Sequence, residues 1–209
     1  MTKPLFLVFD GPDGAGKSTQ SRRLAERLRS NGETVTTVVD PGGTALGTKL
    51  RELLLFARET TIDMRAEALL FMAARAQLVS ELVRPALARG EIVLSDRYDL
   101  ATLVYQGRAG GLDPSVLRLV TNFAAGGLHP DLTLLFDVSP ARAAARRKPA
   151  PDRLEARSDD YRERVRSGFL AEAAADPLRI CVVDANVGID EVAAAVDAAL
   201  EPLLRGRRP

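Results

Sequence analysis

Five short apolar runs punctuate this chain, and each ends on an acidic residue or abuts one. They are Leu5 to Asp10, Val35 to Asp40, Glu91 to Asp96, Leu132 to Asp137 and Ile180 to Asp184. Valine, leucine, isoleucine and phenylalanine dominate them without polar alternation, the pattern of strands covered on both faces. The intervals carry helical period: Ser18 to Ser30 with Leu24 and Leu28 one turn apart, Arg65 to Arg89 interrupted near its end by Pro85, Pro114 to Ala125, Pro140 to Arg147, Ser158 to Ala175, and Ile189 to Leu204. Strands that alternate with helices need crossover connections, and crossovers make a parallel sheet. The expectation is therefore an α/β, three-layer fold: a five-stranded parallel sheet with helices on both faces. A length of 209 residues suits one domain, 1–209.

Composition removes several functions. Hydrophobic residues make up 46% and charged residues 27%, which suffices for a sizeable core. With 29 basic against 28 acidic residues, the chain has no bulk charge with which to grip a nucleic-acid polymer or an anionic membrane. A lone cysteine, Cys181 in the apolar Arg179–Asp184 run, excludes an intramolecular disulfide and a multi-thiolate zinc site, and reads as a buried structural thiol. His129, the one histidine, belongs to a loop, so a histidine-based triad lacks its parts. No apolar run reaches the roughly 18 residues of a membrane span. The N-terminal run lacks a cleavage site and leads straight into a glycine-rich loop, which points to a cytoplasmic protein. The last residues, Arg205 to Pro209, read as a frayed, solvated tail.

The glycine-rich loop is Gly11-Pro12-Asp13-Gly14-Ala15-Gly16-Lys17-Ser18, followed by Thr19. It fits Gly, four variable residues, Gly, Lys, Ser/Thr, with a strand before it and a helix after it. Glycines let backbone amides close around a phosphate, and the helix dipole adds favourable field there. Lys17 would serve the β- and γ-phosphates, and the Ser18 hydroxyl would serve Mg²⁺. Nucleotide binding follows. The loop does not name the acceptor.

For the acceptor, Asp96-Arg97-Tyr98 ends the third apolar run, on the sheet edge where open parallel sheets bind ligands. Asp96 could hold Mg²⁺ through water and Arg97 could clamp a phosphate; a strand-end ion pair is the other reading. Phe71 and Arg75 lie one turn apart on a helix whose face continues to Leu78 and Leu82. By spacing alone Phe71 is core. Arg75, however, sits on an inward apolar stripe and requires a partner, which a base edge beside a stacked ring could provide. Thr102, Tyr105 and Gln106 add hydrogen-bonding groups near Arg97. The polar stretch from Arg146 to Arg153 is either a surface loop or a basic lid.

Together these segments resemble the thymidylate kinases, P-loop enzymes that phosphorylate dTMP. The resemblance runs from Phe6 to about Val183 and takes in the phosphate loop, Asp40-Pro-Gly-Gly-Thr44, Lys49-Leu-Arg51, Phe71 to Gln77, Asp96-Arg-Tyr98 with Tyr105-Gln106, and Asp152-Arg-Leu-Glu155. It implies transfer of the γ-phosphoryl of ATP to dTMP, with Mg²⁺ as cofactor, ATP and dTMP as the molecules bound, and a homodimer formed through helices. It implies that Phe71 stacks on thymine, that Arg75 and Gln106 bond its polar edge, and that Pro41 packs near its methyl. Arg51 and Arg97 would hold the 5′-phosphate, Tyr105 would crowd the 2′ position, and Asp13 would contact the sugar hydroxyl or the metal shell. No variable position of the phosphate loop is basic. The transition-state arginine should then come from a lid at about 142–157, with Arg146, Arg147 and Arg153 as candidates. Another deoxynucleotide or deoxynucleoside kinase, or a non-catalytic nucleotide-binding protein of the same fold, are the competing functions. Three positions depart from the family pattern: aspartate at Asp10 and Asp40 where glutamate is usual, and Val39 where arginine is usual.

Overall fold

The computed structural model describes residues 3–57, 59–146, 153–154 and 157–207. Strands β1 (Leu5–Asp10), β2 (Val35–Val39), β3 (Ile92–Asp96), β4 (Leu132–Asp137) and β5 (Ile180–Asp184) form one parallel sheet in the order β2-β3-β1-β4-β5. The α/β architecture read from the apolar runs is the one found. In the central strand β1, Leu5, Leu7 and Phe9 face one layer, while Phe6 and Val8 face the other. That two-sided burial is why the run shows no polar alternation. Each of these side chains contributes about 1.5–3 kcal/mol by leaving water, so the loop that follows β1 starts from a rigid strand.

On the first face lie α1 (Lys17–Ser30) through Leu24, Ala25 and Leu28, and α9 (Ile189–Arg205) through Val192, Val196 and Leu200. The second face carries α3 (Met64–Leu78), α4 (Arg84–Ala88), α6 (Pro114–Ala125) and α8 (Asp159–Ala175). The edge strands are only half covered: Thr37 of β2 and Val182 of β5 are exposed, and Cys181 is half-buried against the core rather than sealed in it. An edge strand has one neighbour and a helix layer that stops short of it.

Helix boundaries depart from the periodicity in three places. The Arg65–Arg89 segment is α3 followed by a π-helical turn, Val79–Val83, and then α4, with the Arg84 N–H reaching back to Val79 O. Pro85 has no N–H to give the preceding turn, and the wider turn accommodates the break. A second π-helical turn, Leu103–Arg108, follows the short α5 (Asp99–Thr102). The helix α2 (Ala45–Phe56) was missed altogether; Thr44 caps it by accepting from the Gly47 N–H at 2.9 Å. Gly47 lacks the apolar side chain that would have signalled the helix, because a Cβ there would come within 2.6 Å of Gly42 O.

The tail is corrected by Arg207. It is buried, and its guanidinium donates to Gly90 O at 2.8 Å, to Glu33 Oε2 at 3.1 Å and to Lys3 O, tying the C-terminal segment under the sheet. Residues 208–209 lie outside the described residues. So does most of the expected lid, residues 147–152 and 155–156, which includes Arg147, Asp152 and Glu155; its start belongs to α7 (Pro140–Arg146). Among the described residues no helix is long and apolar enough to cross a membrane.

Candidate active site

The β1, β2 and β3 strands all deliver their C-terminal ends to one edge of the sheet, so the loops that follow them meet there. After β1 the chain turns through Gly11, at φ 133°, where a Cβ would lie 2.5 Å from Phe136 O. Only glycine fits both demands. Gly16, left-handed at φ 90°, opens α1 without a side-chain cap, which leaves the first N–H groups of the helix available to an anion. Lys17 Nζ donates to Gly11 O at 3.0 Å and to Pro12 O at 2.9 Å and lies 3.8 Å from Asp13 Oδ1. Burial and the neighbouring Arg97 charge lower the Lys17 pKa, against the pull of Asp13, Asp96 and Asp10. Ser18 Oγ donates to Asp96 Oδ2 at 2.5 Å, bringing together two hard oxygen donors from α1 and β3.

Arg97 is the residue on which these loops converge. Among the described residues it is the one non-glycine residue with positive φ, 69°, a conformation that costs about 1–2 kcal/mol. Its surroundings supply what holds it there: Arg97 N donates to Phe9 O at 2.9 Å, Nη1 to Asp10 Oδ1 at 3.1 Å and Gly11 O at 2.9 Å, and Nη2 to Asp13. The guanidinium also stacks on the Tyr105 ring, 5.2 Å from its centroid, with the Tyr105 hydroxyl at 3.3 Å. Asp10 beneath it is fully buried. Burial pushes its carboxyl up to about 6, opposed by Arg97, the Gly11 N–H and Lys17.

At the other end stands Arg75, 1% exposed although it borders the cleft. Its required partner is Asp40, at the end of β2: Nε donates to Asp40 Oδ2 at 2.6 Å. Nη2 donates to Tyr98 O at 2.8 Å and Thr102 Oγ1 at 3.0 Å, and Nη1 lies 3.6 Å from the Met72 sulfur. Burial raises the Asp40 pKa and Arg75 lowers it. Arg51 Nη1 donates to Pro41 O at 2.8 Å.

Most of these groups border one open cleft of about 680 Å³. Of the residues singled out in the sequence, Asp13, Gly14, Gly16, Lys17, Ser18, Thr19, Pro41, Arg51, Phe71, Arg75, Asp96, Arg97, Thr102, Tyr105, Gln106 and Arg146 all border it. Gly11, Pro12 and Ala15 do not; they shape the loop from behind. Arg146 donates from Nη1 to Ala185 O at 3.1 Å, beyond the end of β5. Arg153 is turned away from the cleft: its backbone N–H bonds Leu55 O at 3.0 Å, its Nε bonds Leu54 O at 2.8 Å, and its Nη2 bonds Glu67 Oε2 at 2.6 Å. Thr102 and Gln106 belong to Arg75 and Glu67 rather than to the surroundings of Arg97. Sequence reasoning missed Glu67 as a centre of bonding and missed Asp40 as the partner of Arg75. Charged residues on the inward face of an apolar helix were the available signal.

The match to known proteins covers nearly the whole chain. The family model described as thymidylate kinase matches residues 9–196. A thymidylate kinase of Deinococcus radiodurans is 48% identical over 202 residues, 96% of this chain and 98% of that protein. One of Solidesulfovibrio magneticus is 44% identical over 209 residues, covering 96% of this chain and 100% of its own. The crystal structure of a thymidylate kinase from Ehrlichia chaffeensis superposes with a TM-score of 0.76 at 30% identity, over 94% of this chain and 98% of that one. Sequence and fold agree over nearly the whole chain: the chain belongs to the thymidylate kinase family.

Proposed function

We infer that the chain is an ATP-dependent dTMP kinase, a single P-loop domain over 1–209 with a lid at about 142–157, making dTDP and ADP. The observation that carries this reading is the continuity of the cleft from Lys17 and Ser18, past Arg97, to Phe71, Arg75 and Gln106. Such a cleft can seat a triphosphate at one end and a flat base at the other, with the two phosphates meeting near Arg97. Phe71 stacks on thymine, Pro41 packs near its methyl, and Arg75 and Gln106 bond its polar edge. Thr102 steadies Arg75. Arg51 and Arg97 hold the 5′-phosphate, Tyr105 crowds the 2′ position, and Asp13 contacts the sugar.

Gly11 to Thr19 wrap the phosphates of ATP. The acceptor is a phosphate oxygen, already ionised near neutral pH, so no strong general base is required and the barrier falls through positioning and charge. Lys17 and Arg97 supply that charge from the floor. Of the lid arginines within the described residues, Arg146 borders the cleft and takes the transition-state role, while Arg153 braces the lid. Ser18 Oγ and Asp96 Oδ2, hard oxygens 2.5 Å apart, fit Mg²⁺, which prefers a few protein oxygens with phosphate and water making up the rest. When bound, the ion neutralises charge on the transferring phosphoryl group.

A second copy of the chain is the partner we assign to the outer faces of α3 and α6. Those helices pack side by side and leave Leu69, Val116, Leu119 and the 87%-exposed Phe123 outward. Val116, Leu119 and Phe123 fall at i, i+3 and i+7, one stripe of α6.

The decisive experiment is a panel of nucleoside monophosphates with ATP and Mg²⁺, read as kcat/KM. A clear maximum for dTMP is expected. A maximum for dCMP or a ribonucleotide would make the chain another nucleotide kinase, and no ADP from any acceptor would make it a non-catalytic binder.

A further inference from the structure

Glu67 is 0% exposed, lies outside the cleft, and is the acceptor on which three donors from separate parts of the chain converge. Gln106 Nε2 reaches Oε1 at 2.8 Å. Arg153 Nη2 reaches Oε2 at 2.6 Å, and Arg157 Nη2 spans both oxygens at 2.9 and 2.7 Å. Arg157 in turn stacks on Tyr161, whose hydroxyl donates to Tyr105 O at 2.6 Å. A buried carboxylate with this many charged donors is fully engaged.

For Gln106 the consequence is directional. A carboxylate has no proton to give, so the amide must turn its NH₂ toward Glu67 and its oxygen the other way. Gln106 Oε1 receives no hydrogen bond among the described residues, and Gln106 borders the cleft. The atom left for a ligand is therefore an acceptor. Thymine carries a hydrogen on N3, whereas cytosine carries a bare lone pair there. An acceptor fixed at that place rewards the first and leaves the second facing like against like.

We infer that Glu67 is a positioning residue for base selectivity: it fixes the Gln106 side-chain amide so that an oxygen, not an NH₂ group, meets N3 of the pyrimidine. The inference rests on the dTMP kinase reading and adds to it a residue that touches no substrate. The same carboxylate holds Arg153 and Arg157, so the orientation that selects the base shares its anchor with those two arginines.

The test compares kcat/KM for dTMP and dCMP in the full chain. In Glu67→Gln the two guanidiniums claim the new amide oxygen, which turns its NH₂ toward Gln106 and forces that side chain to flip. The dTMP-to-dCMP ratio should fall by about tenfold or more. Arg157→Met removes a lid contact but keeps the carboxylate, so its ratio should stay within about twofold of wild type. Should Glu67→Gln fail to fold, Glu67→Gln/Arg157→Met, with one buried cation fewer, reads the same ratio. Equal losses for both substrates in the folded variant would overturn the inference and leave Glu67 a structural brace. A wild-type chain without preference for dTMP would instead sink the functional reading. In the wild type alone, the Gln106 side-chain NH₂ should resist hydrogen exchange with and without dTMP; exchange at the rate of a free amide refutes the contact.

Discussion

Removing Asp40 probes the buried Asp40–Arg75 pair at one end of the cleft. Arg75 has three directed bonds: one charge-assisted to Asp40 Oδ2 at 2.6 Å, and two neutral ones, to Tyr98 O and Thr102 Oγ1. Among the described residues Asp40 Oδ1 has no donor, so the pair carries desolvation that it does not fully recover. Asp40→Ala leaves a guanidinium at 1% exposure with only neutral acceptors. Breaking a buried pair in this way costs about 3–5 kcal/mol, whereas replacing both partners by apolar residues is close to neutral. Two surviving acceptors place the single variant near the lower bound, about 3 kcal/mol. With a urea slope of about 2 kcal/mol/M, the unfolding midpoint should drop by about 1.5 M. Asp40→Leu/Arg75→Met should recover to within about 1 kcal/mol of wild type. The assay is urea unfolding followed by far-UV circular dichroism, on the wild type, Asp40→Ala, the singles Asp40→Leu and Arg75→Met, and their double. A loss below about 1 kcal/mol for Asp40→Ala, or a double variant whose loss equals the sum of the singles, would refute the coupling. On the dTMP kinase reading, the double variant, however stable, should prefer dTMP less than the wild type does, because the Arg75 donor is gone while the Gln106 acceptor held by Glu67 remains.

Three further outcomes are expected. Arg146→Ala should lower kcat by about tenfold or more with KM for dTMP little changed; a change confined to that KM would move Arg146 to the acceptor site. Asp10 has its pKa raised from 3.8 to about 6, so between those values the native state binds the proton more tightly than the unfolded one. Its contribution to stability is therefore present at low pH and is lost as pH rises through about 6, by up to about 3 kcal/mol. Asp10→Asn should flatten that part of the urea-midpoint profile between pH 4.5 and 7, and profiles that stay parallel to wild type would contradict the assignment. Phe123→Glu should convert a dimer to a monomer in sedimentation velocity, and an unchanged sedimentation coefficient would remove the α3–α6 face as the interface.

The features legible in the sequence were those written locally. The apolar runs, Gly11 to Ser18 and Asp96-Arg97 are contiguous, and each carries its structural meaning in its own neighbours. The register that brings Ser18 to Asp96 follows from two strands ending at one sheet edge, which the alternation of elements already implied. Harder to see was α2, whose glycine at position 47 answers to the backbone of Gly42 rather than to helical propensity. Arg153 is one of three candidate transition-state arginines by charge and sequence position, and the carboxylate that it bonds lies 86 residues away.

By itself, then, the sequence determined the parallel sheet, the phosphate loop and the family, because periodicity, turn chemistry and motif spacing are local quantities. Only the tertiary structure decided which partner each buried charge meets. Arg75 meets Asp40 across 35 residues, Gln106 meets Glu67 across 39, and Arg207 meets Gly90 across 117. A buried charge is satisfied by whichever partner the packed elements bring within about 3 Å, and that distance exists only once the layers have closed.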